Sequence, residues 1–102
     1  MKIKKITNPD NANLTSFYND TIFASCNEIR SKLGIDVSYY GSADDKVHFE
    51  FELELEDGTP FTIYDWKEGE WIDEDSRVYF HIGAKNGEDS RKVRTALKSA
   101  GL

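Results

Sequence analysis

The sequence predicts an α+β fold in which two helices pack on one face of a three- to four-stranded antiparallel sheet, in the approximate order (β)-α-β-β-β-α. Three observations support this prediction. Apolar and polar residues alternate over residues 47–56, as they do in a strand with one buried face. The pair Asp57-Gly58, which is typical of hairpin turns, follows at once. Segments 22–33 and 93–100 instead repeat apolar residues at helical spacing, and such helices can cover the apolar face of a sheet.

The size and composition of the chain indicate one small globular domain that spans residues 1–102. A chain of 102 residues fits a single domain. The aromatic fraction of 13% favours a folded core, although charged residues make up 31% of the chain. No internal repeat or low-complexity segment is present.

The first half of the chain is predicted to contain a short strand and a helix. Ile3 and Ile6 indicate the strand. Asp20 or Thr21 is the predicted N-cap of the helix, since short polar side chains accept hydrogen bonds from the first free backbone N–H groups. Gly34 is predicted to end the helix, because glycine readily adopts the left-handed conformation found there. The apolar residues on one face of this predicted helix are Ile22, Phe23, Cys26, Ile29 and Leu33.

Residues 47–56 give the clearest strand pattern in the sequence. Because successive side chains of a strand point to opposite faces, one face is predicted to be buried and the other to contact water. The predicted buried residues are Val47, Phe49, Phe51, Leu53 and Leu55. The predicted solvent-facing residues are His48, Glu50, Glu52, Glu54 and Glu56.

The strand predicted to follow the turn, residues 61–67, is compatible with two registers. A two-residue turn places Tyr64 and Trp66 on the buried face. A one-residue bulge instead places Phe61 and Ile63 there and directs Tyr64 and Trp66 to the outer face. The two aromatic residues are therefore either part of the core or part of an exposed recognition surface.

The last third of the chain is predicted to form a strand and a helix. Residues 77–82 alternate, with Val78, Phe80 and Ile82 on one face. Asn86 or Asp89 is the predicted N-cap of the helix. The residues predicted to face inward from this helix are Val93, Ala96, Leu97 and Ala100. The residues predicted to face outward are Arg91, Lys92, Arg94 and Lys98.

The charge of the chain is unevenly distributed. The net charge is −6, but residues 44–75 alone carry thirteen acidic and two basic residues, a net charge of −11. Residues 76–102 carry a net charge of +4. An acidic surface repels nucleic acid and anionic membranes, so we expect no direct contact with either. A protein with a basic surface is the expected partner.

The sequence also limits the cellular setting. Its single cysteine, Cys26, cannot form an internal disulfide, which favours a reducing cytoplasm. No stretch approaches the roughly 20 apolar residues that a membrane-spanning helix needs. The N-terminal residues lack the apolar run of a signal peptide. We therefore expect a cytoplasmic protein.

No catalytic residue, metal site or cofactor is predicted. His48 is expected to be solvated beside Glu50, and His81 is expected to make a structural hydrogen bond; neither has an evident acid–base partner. The helical spacing of Cys26 places its thiol in the core, where it acts as a small apolar group. The segment Asp73-Glu74-Asp75 lacks the spacing of a calcium-binding loop.

The candidate binding residues are acidic or aromatic. Glutamates at alternate positions of one strand project on one side at intervals of roughly 6.8 Å, which is twice the rise per residue. Such a ladder is either an ordinary solvated face or a surface that contacts a basic partner. Exposed aromatic residues beside it would anchor the contact. The predicted binding residues are Glu50, Glu52, Glu54, Tyr64, Trp66, Trp71, Asp73, Glu74 and Asp75.

Three segments resemble a group of small proteins of tailed bacteriophages. They are the helix-like stretch 23–34, the Asp-Gly-Thr turn 57–59 with the following Ile-Tyr-Asp-Trp-Lys at 63–67, and the Phe-His-Ile-Gly stretch 80–83. Phe80 stands where that group usually has tryptophan. The resemblance implies a phage protein in the cytoplasm of a bacterial host cell. It implies no activity.

These observations lead to one expected function and two alternatives. We expect a non-enzymatic binding protein that inhibits or redirects a host protein through an acidic face. Counter-defence, for example anti-CRISPR inhibition, is the most specific form of this expectation. One alternative is a small-ligand binder, such as a sponge for a nucleotide signal, which would use Lys67, Lys85, Arg91 or Arg94. The other is a phage structural or assembly subunit. The sequence predicts neither the oligomeric state nor the identity of the partner.

Overall fold

The computed structural model describes residues 2–40, 47–66 and 72–102. Within these ranges the chain forms six strands, two α-helices and a 3₁₀ helix over Pro9–Leu14, which lies between the first two strands. The elements in chain order are β1 (Ile3–Lys5), β2 (Ser16–Ala24), α1 (Cys26–Leu33), β3 (Tyr39–Tyr40), β4 (Phe49–Leu55), β5 (Pro60–Tyr64), β6 (Val78–Ala84) and α2 (Gly87–Ser99). Neither α-helix is long and apolar enough to cross a membrane.

The strands form one antiparallel sheet in the order β1-β4-β5-β6-β2, and β3 pairs with β4. β1 pairs with the C-terminal part of β4 and β3 with its N-terminal part, so both lie along the same edge of β4. The predicted α+β class is confirmed. The sheet has more strands than predicted, because β2 and β3 have no clear alternating pattern in the sequence.

The predicted start of the first helix is wrong. Residues 16–24 form strand β2, in which Ile22 is buried and Phe23 is exposed on the opposite face. The helix begins at Cys26, after a capping box in which the Ser25 hydroxyl accepts from the Glu28 N–H and the Glu28 carboxylate accepts from the Ser25 N–H. Its end at Gly34, which has a φ of 67°, is confirmed.

The β4–β5 hairpin adopts the bulged register. The N–H of Gly58 donates to the carbonyl of Leu55, and Gly58 itself has a φ of 91°, a conformation that disfavours other residues. Phe61 therefore lies opposite Leu53, and Ile63 lies opposite Phe51. The sequence left this register open, and the structure resolves it in favour of an apolar inner face.

One hydrophobic core lies between the inner face of the sheet and the two α-helices, and α2 packs against β2 and β6. The predicted strand β6 and the N-cap of α2 at Asn86, whose side chain accepts from the N–H of Asp89, are confirmed. The buried residues of this core are Ile22, Ala24, Cys26, Ile29, Phe49, Phe51, Leu53, Leu55, Phe61, Ile63, Ile72, Phe80, Ile82, Val93, Ala96 and Leu97.

The opposite, outer face of the sheet is partly covered by the 3₁₀ helix, which contacts β4 and β5. The helix begins after Asn8, whose side chain accepts from the N–H of Asp10. Close packing continues at Gly83, where an added Cβ would lie 2.3 Å from Oγ1 of Thr62 and 3.2 Å from Oγ1 of Thr15. Glycine is thus required there by the space available and not by its backbone conformation.

Gly83→Ala tests this packing. We expect a loss of roughly 1–3 kcal/mol in the free energy of unfolding, because the new methyl group collides with the Thr62 hydroxyl. Urea denaturation of both single variants and of Gly83→Ala/Thr62→Ala measures the coupling. The double variant should lose clearly less stability than the sum of the single losses. Strictly additive losses would contradict the described register of β5 and β6.

Candidate functional site

A row of polar and aromatic side chains crosses the outer face of the sheet. Glu50 of β4 pairs with Tyr64 of β5, which in turn pairs with His81 of β6. In the next row, Glu52 pairs with Thr62. Because the bulged hairpin directs the apolar residues of both strands inward, these side chains all emerge on the outer face.

A cleft of about 330 Å³ lies between this part of the sheet and the 3₁₀ helix. We call it the outer-face cleft. Carboxylate, aromatic, hydroxyl and amide groups line it side by side, so it combines charge with flat apolar surface. Its lining residues are Ala12, Asn13, Thr15, Val47, Glu50, Glu52, Thr62, Tyr64 and Trp66.

The two carboxylates of the cleft lack a compensating partner in the described part of the chain. Among the described residues, neither Glu50 nor Glu52 makes a hydrogen bond or an ion pair through its side chain. Both side chains are partly buried. Burial, and to a lesser degree the negative charge of Glu52, raise the pKa of Glu50. The cleft therefore holds negative charge that the described part of the chain does not neutralise.

An aromatic wall flanks these carboxylates. The rings of Tyr64 and Trp66 are nearly perpendicular, at 88°, with centroids 6.4 Å apart. The ring of Tyr64 also contacts His81, on which Phe17 is stacked at 4.0 Å. Burial, followed by the charge of Glu50, raises the pKa of Tyr64, so its hydroxyl stays protonated at neutral pH.

The prediction that Glu54 continues a solvent-facing ladder is wrong. Its side chain is buried, and its carboxylate accepts from the backbone N–H of Thr7 and forms an ion pair of 3.5 Å with Lys4. The hydrogen bond from Thr7 is the main reason that the pKa of Glu54 is lowered. Glu54 thus holds β1 on β4, and of the three predicted ladder residues only Glu50 and Glu52 line the outer-face cleft.

The predicted acidic residues of the 73–75 turn lie elsewhere. Glu74 forms an ion pair of 2.8 Å with Arg30, and Asp75 accepts from the side chain of Asn27 at 2.7 Å. Asp73 accepts from the N–H of Asp75 within the turn. The contacts of Glu74 and Asp75 attach the turn to α1. None of the three acidic residues lines the outer-face cleft.

The structure brings together four of the nine predicted binding residues. Glu50, Glu52, Tyr64 and Trp66 all line the outer-face cleft. The ninth, Trp71, lies outside the described residues. Of the basic residues considered for an anionic ligand, Lys67 also lies outside them, and Lys85, Arg91 and Arg94 do not line the cleft.

The pair formed by His48 and Asp65 was not foreseen, and the prediction of a solvated His48 is wrong. The His48 side chain is only 10% exposed, and its Nδ1 lies 2.7 Å from Oδ2 of the fully buried Asp65. Oδ1 of Asp65 accepts from the N–H groups of His48 and Phe49. The sequence held one signal: Asp65 lies between two outward-facing aromatic residues, so alternation directs it inward, where a carboxylate needs partners.

This pair fixes the end of the cleft. Val47 precedes His48 and Trp66 follows Asp65, and both Val47 and Trp66 line the cleft. The three hydrogen bonds to Asp65 join the start of β4 to the end of β5. The position of the Trp66 side chain therefore depends on a buried polar cluster on the inner side of the sheet.

Other chemistry is not evident in the described residues. Burial raises the pKa of Cys26 to about 11, so this core thiol is protonated at neutral pH. Within residues 2–40, 47–66 and 72–102, no group of three or more His, Cys, Asp or Glu side chains is arranged to hold a metal ion. The outer-face cleft is thus the candidate site, and its charge suits a cation.

Comparisons with known proteins identify no relative of this chain. No protein-family model, curated protein or solved structure matches the chain. The chemistry of the outer-face cleft rests on its own residues.

Glu50→Gln should stabilise the protein at pH 7. The folded state raises the pKa of Glu50, so ionisation of this group opposes folding and wild-type stability falls as the pH rises through the folded pKa. The gain should disappear below the ordinary glutamate pKa of 4.5, where the carboxyl is protonated in both states. Urea denaturation of the variant and of wild type at pH 7 and pH 4 measures this gain in stability. Glu56→Gln, at an exposed turn position, is the control and should change little at either pH.

Asp65→Ala should destabilise the protein by roughly 2–5 kcal/mol, because it removes the acceptor for two backbone N–H groups and the His48 ring. Asp75→Ala removes only one exposed side-chain contact and should stay within about 0.5 kcal/mol of wild type. Denaturation followed by tryptophan fluorescence compares the two variants. Equal stability of both variants would mean that the buried cluster does not hold the hairpin.

Proposed function

We propose that this protein is a non-enzymatic binding protein that inhibits or redirects another protein by binding a basic part of its surface at the outer-face cleft. One observation carries the proposal: Glu50 and Glu52 are partly buried without a cation from the described part of their own chain. A cationic group of a partner would supply the missing charge.

The contrast with other buried or partly buried carboxylates supports this proposal. Glu28, Glu54 and Glu74 each form an ion pair with Arg77, Lys4 and Arg30, respectively. Asp20 accepts from the hydroxyl of Ser90 at 2.6 Å. The chain thus compensates such groups where they serve the fold, whereas the two carboxylates of the cleft are open to a ligand.

Long-range charge would assist the encounter. The net charge of −6 attracts a basic protein before contact and raises the association rate, most strongly at low ionic strength. Once bound, the aromatic wall would exclude water from the ion pairs, which strengthens them. Trp66, which is 40% exposed, offers apolar surface for that purpose.

The resemblance to small proteins of tailed bacteriophages supports a setting for this activity. We propose that the protein acts in the cytoplasm of a bacterial host cell and that its partner is a host protein with a basic surface. A nucleic-acid-binding defence protein, as in an anti-CRISPR interaction, meets this description, because its nucleic-acid groove is basic. A nucleotide ligand is disfavoured at the cleft, since the carboxylates repel phosphate.

Charge reversal in the cleft tests the proposal. Glu50→Lys/Glu52→Lys should weaken binding to a partner captured from bacterial lysate by at least about tenfold, and wild-type binding should weaken steeply with salt. Glu56→Lys/Glu88→Lys makes the same change in net charge at exposed positions outside the cleft and should weaken binding only about threefold. Binding kinetics at several salt concentrations distinguish the two.

Two outcomes would contradict the proposal. If both charge reversals weaken binding equally, only the net charge matters and the cleft is not the site. If neither the cleft reversal nor salt has an effect, the partner binds at another surface.

A further inference from the structure

The outer-face cleft has the dimensions of a pocket for one side chain. Its volume of about 330 Å³ lies at the lower end of the range for ligand sites. It is bounded on one side by the 3₁₀ helix and at one end by Trp66. A protein partner would therefore insert a single group here and contact the surrounding face more shallowly.

The carboxylate pair sets the first requirement on that group. Glu50 and Glu52 occupy alternate positions of β4, so their backbones are about 6.8 Å apart and their side chains project in the same direction. A guanidinium carries five N–H donors around a rigid plane and can donate to two carboxylates at once. An ammonium is a compact, strongly hydrated charge, so its transfer into a partly buried cleft is less favourable.

The aromatic wall sets the second requirement. Tyr64 and Trp66 meet at 88°, and their rings offer flat apolar surface beside the carboxylates. A guanidinium stacks on such rings through its own planar face while its edges donate to carboxylates. A quaternary ammonium also favours aromatic rings, but it has no N–H to donate, so both carboxylates would remain without hydrogen bonds.

The remaining lining residues meet a third requirement. Thr62 and Asn13 both line the cleft, and a hydroxyl and a side-chain amide oxygen can accept hydrogen bonds. In the arginine pocket inferred below, they would receive the N–H groups that the two carboxylates leave unpaired. A buried guanidinium needs such additional acceptors, because each unpaired donor is costly in a site with little water.

We infer that the outer-face cleft is an arginine-specific pocket, which binds the guanidinium of one arginine side chain between the Glu50–Glu52 pair and the Tyr64–Trp66 wall. This inference rests on the proposed function, because it names the group by which a basic partner is recognised. The partner is accordingly a protein that presents an exposed arginine within its basic surface.

Small cations test this specificity without any protein partner. The probes are N-acetyl-arginine amide, N-acetyl-lysine amide and N-acetyl-trimethyllysine amide, which share a capped backbone and a single positive charge and differ in the side chain that carries it. Their binding is measured by NMR titration of the isotope-labelled protein at low salt. The arginine derivative should bind in the millimolar range and about tenfold more tightly than the lysine derivative. Its chemical-shift changes should be confined to residues that line the cleft.

Matched variants separate the pocket from general charge. Glu50→Gln/Glu52→Gln should abolish the response to the arginine derivative, whereas Glu56→Gln/Glu88→Gln removes the same charge outside the cleft and should preserve it. Equal binding of arginine and lysine derivatives would overturn the inference, and so would tighter binding of the trimethyllysine derivative. Chemical-shift changes spread over the whole surface would also overturn the inference.

The two proposals can fail separately. If no small cation binds but charge reversal in the cleft still abolishes partner binding, the arginine pocket is wrong and the proposed function stands. If the arginine derivative binds in the cleft but partner binding is insensitive to Glu50 and Glu52, the pocket stands and the proposed function is wrong.

Discussion

The register of the β4–β5 hairpin determines the chemistry of both faces of the sheet. Gly58 adopts a left-handed conformation that adds one residue to the turn. Phe61 and Ile63 consequently enter the core, whereas Tyr64 emerges beside Glu50. A shift by one residue would exchange these sets, because the period of a strand is two. Core packing and the candidate site are therefore two consequences of one backbone feature.

The same alternation explains why the carboxylates of this hairpin differ in behaviour. Asp65 faces inward, and the fold provides it with two backbone N–H groups and a histidine. Glu54 faces the first strand and is neutralised by Lys4. Glu50 and Glu52 face a cleft in which no described cation reaches them. The compensated carboxylates hold elements together, whereas Glu50 and Glu52 are the groups that the proposed partner would contact.

An element of the fold could be predicted from the sequence when its signal lay within a few neighbouring residues. The strand around Phe51, the turn at Gly58 and the helix after Asn86 were predictable, because periodicity and capping are encoded within a few neighbouring residues. Strand β2 was not predictable in this way. Asn19, with a φ of 71°, lies in an irregular stretch of this strand that interrupts the alternation of its side chains. Ile22, at the end of this strand, also happens to match the helical spacing of the residues after Ser25.

The candidate site was predictable only in part for a related reason. Glu50 and Tyr64 are close in space once the hairpin register is known, and the sequence reduced that register to two alternatives. The contacts of Glu54 with Lys4 and of Asp65 with His48 depend on which strands become neighbours and on how their ends meet. The cleft itself requires the 3₁₀ helix to fold over the sheet, and no local pattern indicates that placement.

In the proposed function, stability and binding are coupled through Glu50. Burial raises the pKa of Glu50, so ionisation of this group in the folded protein lowers its stability. A bound cation would offset that loss, because it favours the ionised form in the folded state alone. Any such ligand stabilises the fold in proportion to the logarithm of its concentration above Kd. The feature that lowers the stability of the domain is thus the one on which the proposed binding of a cationic group depends.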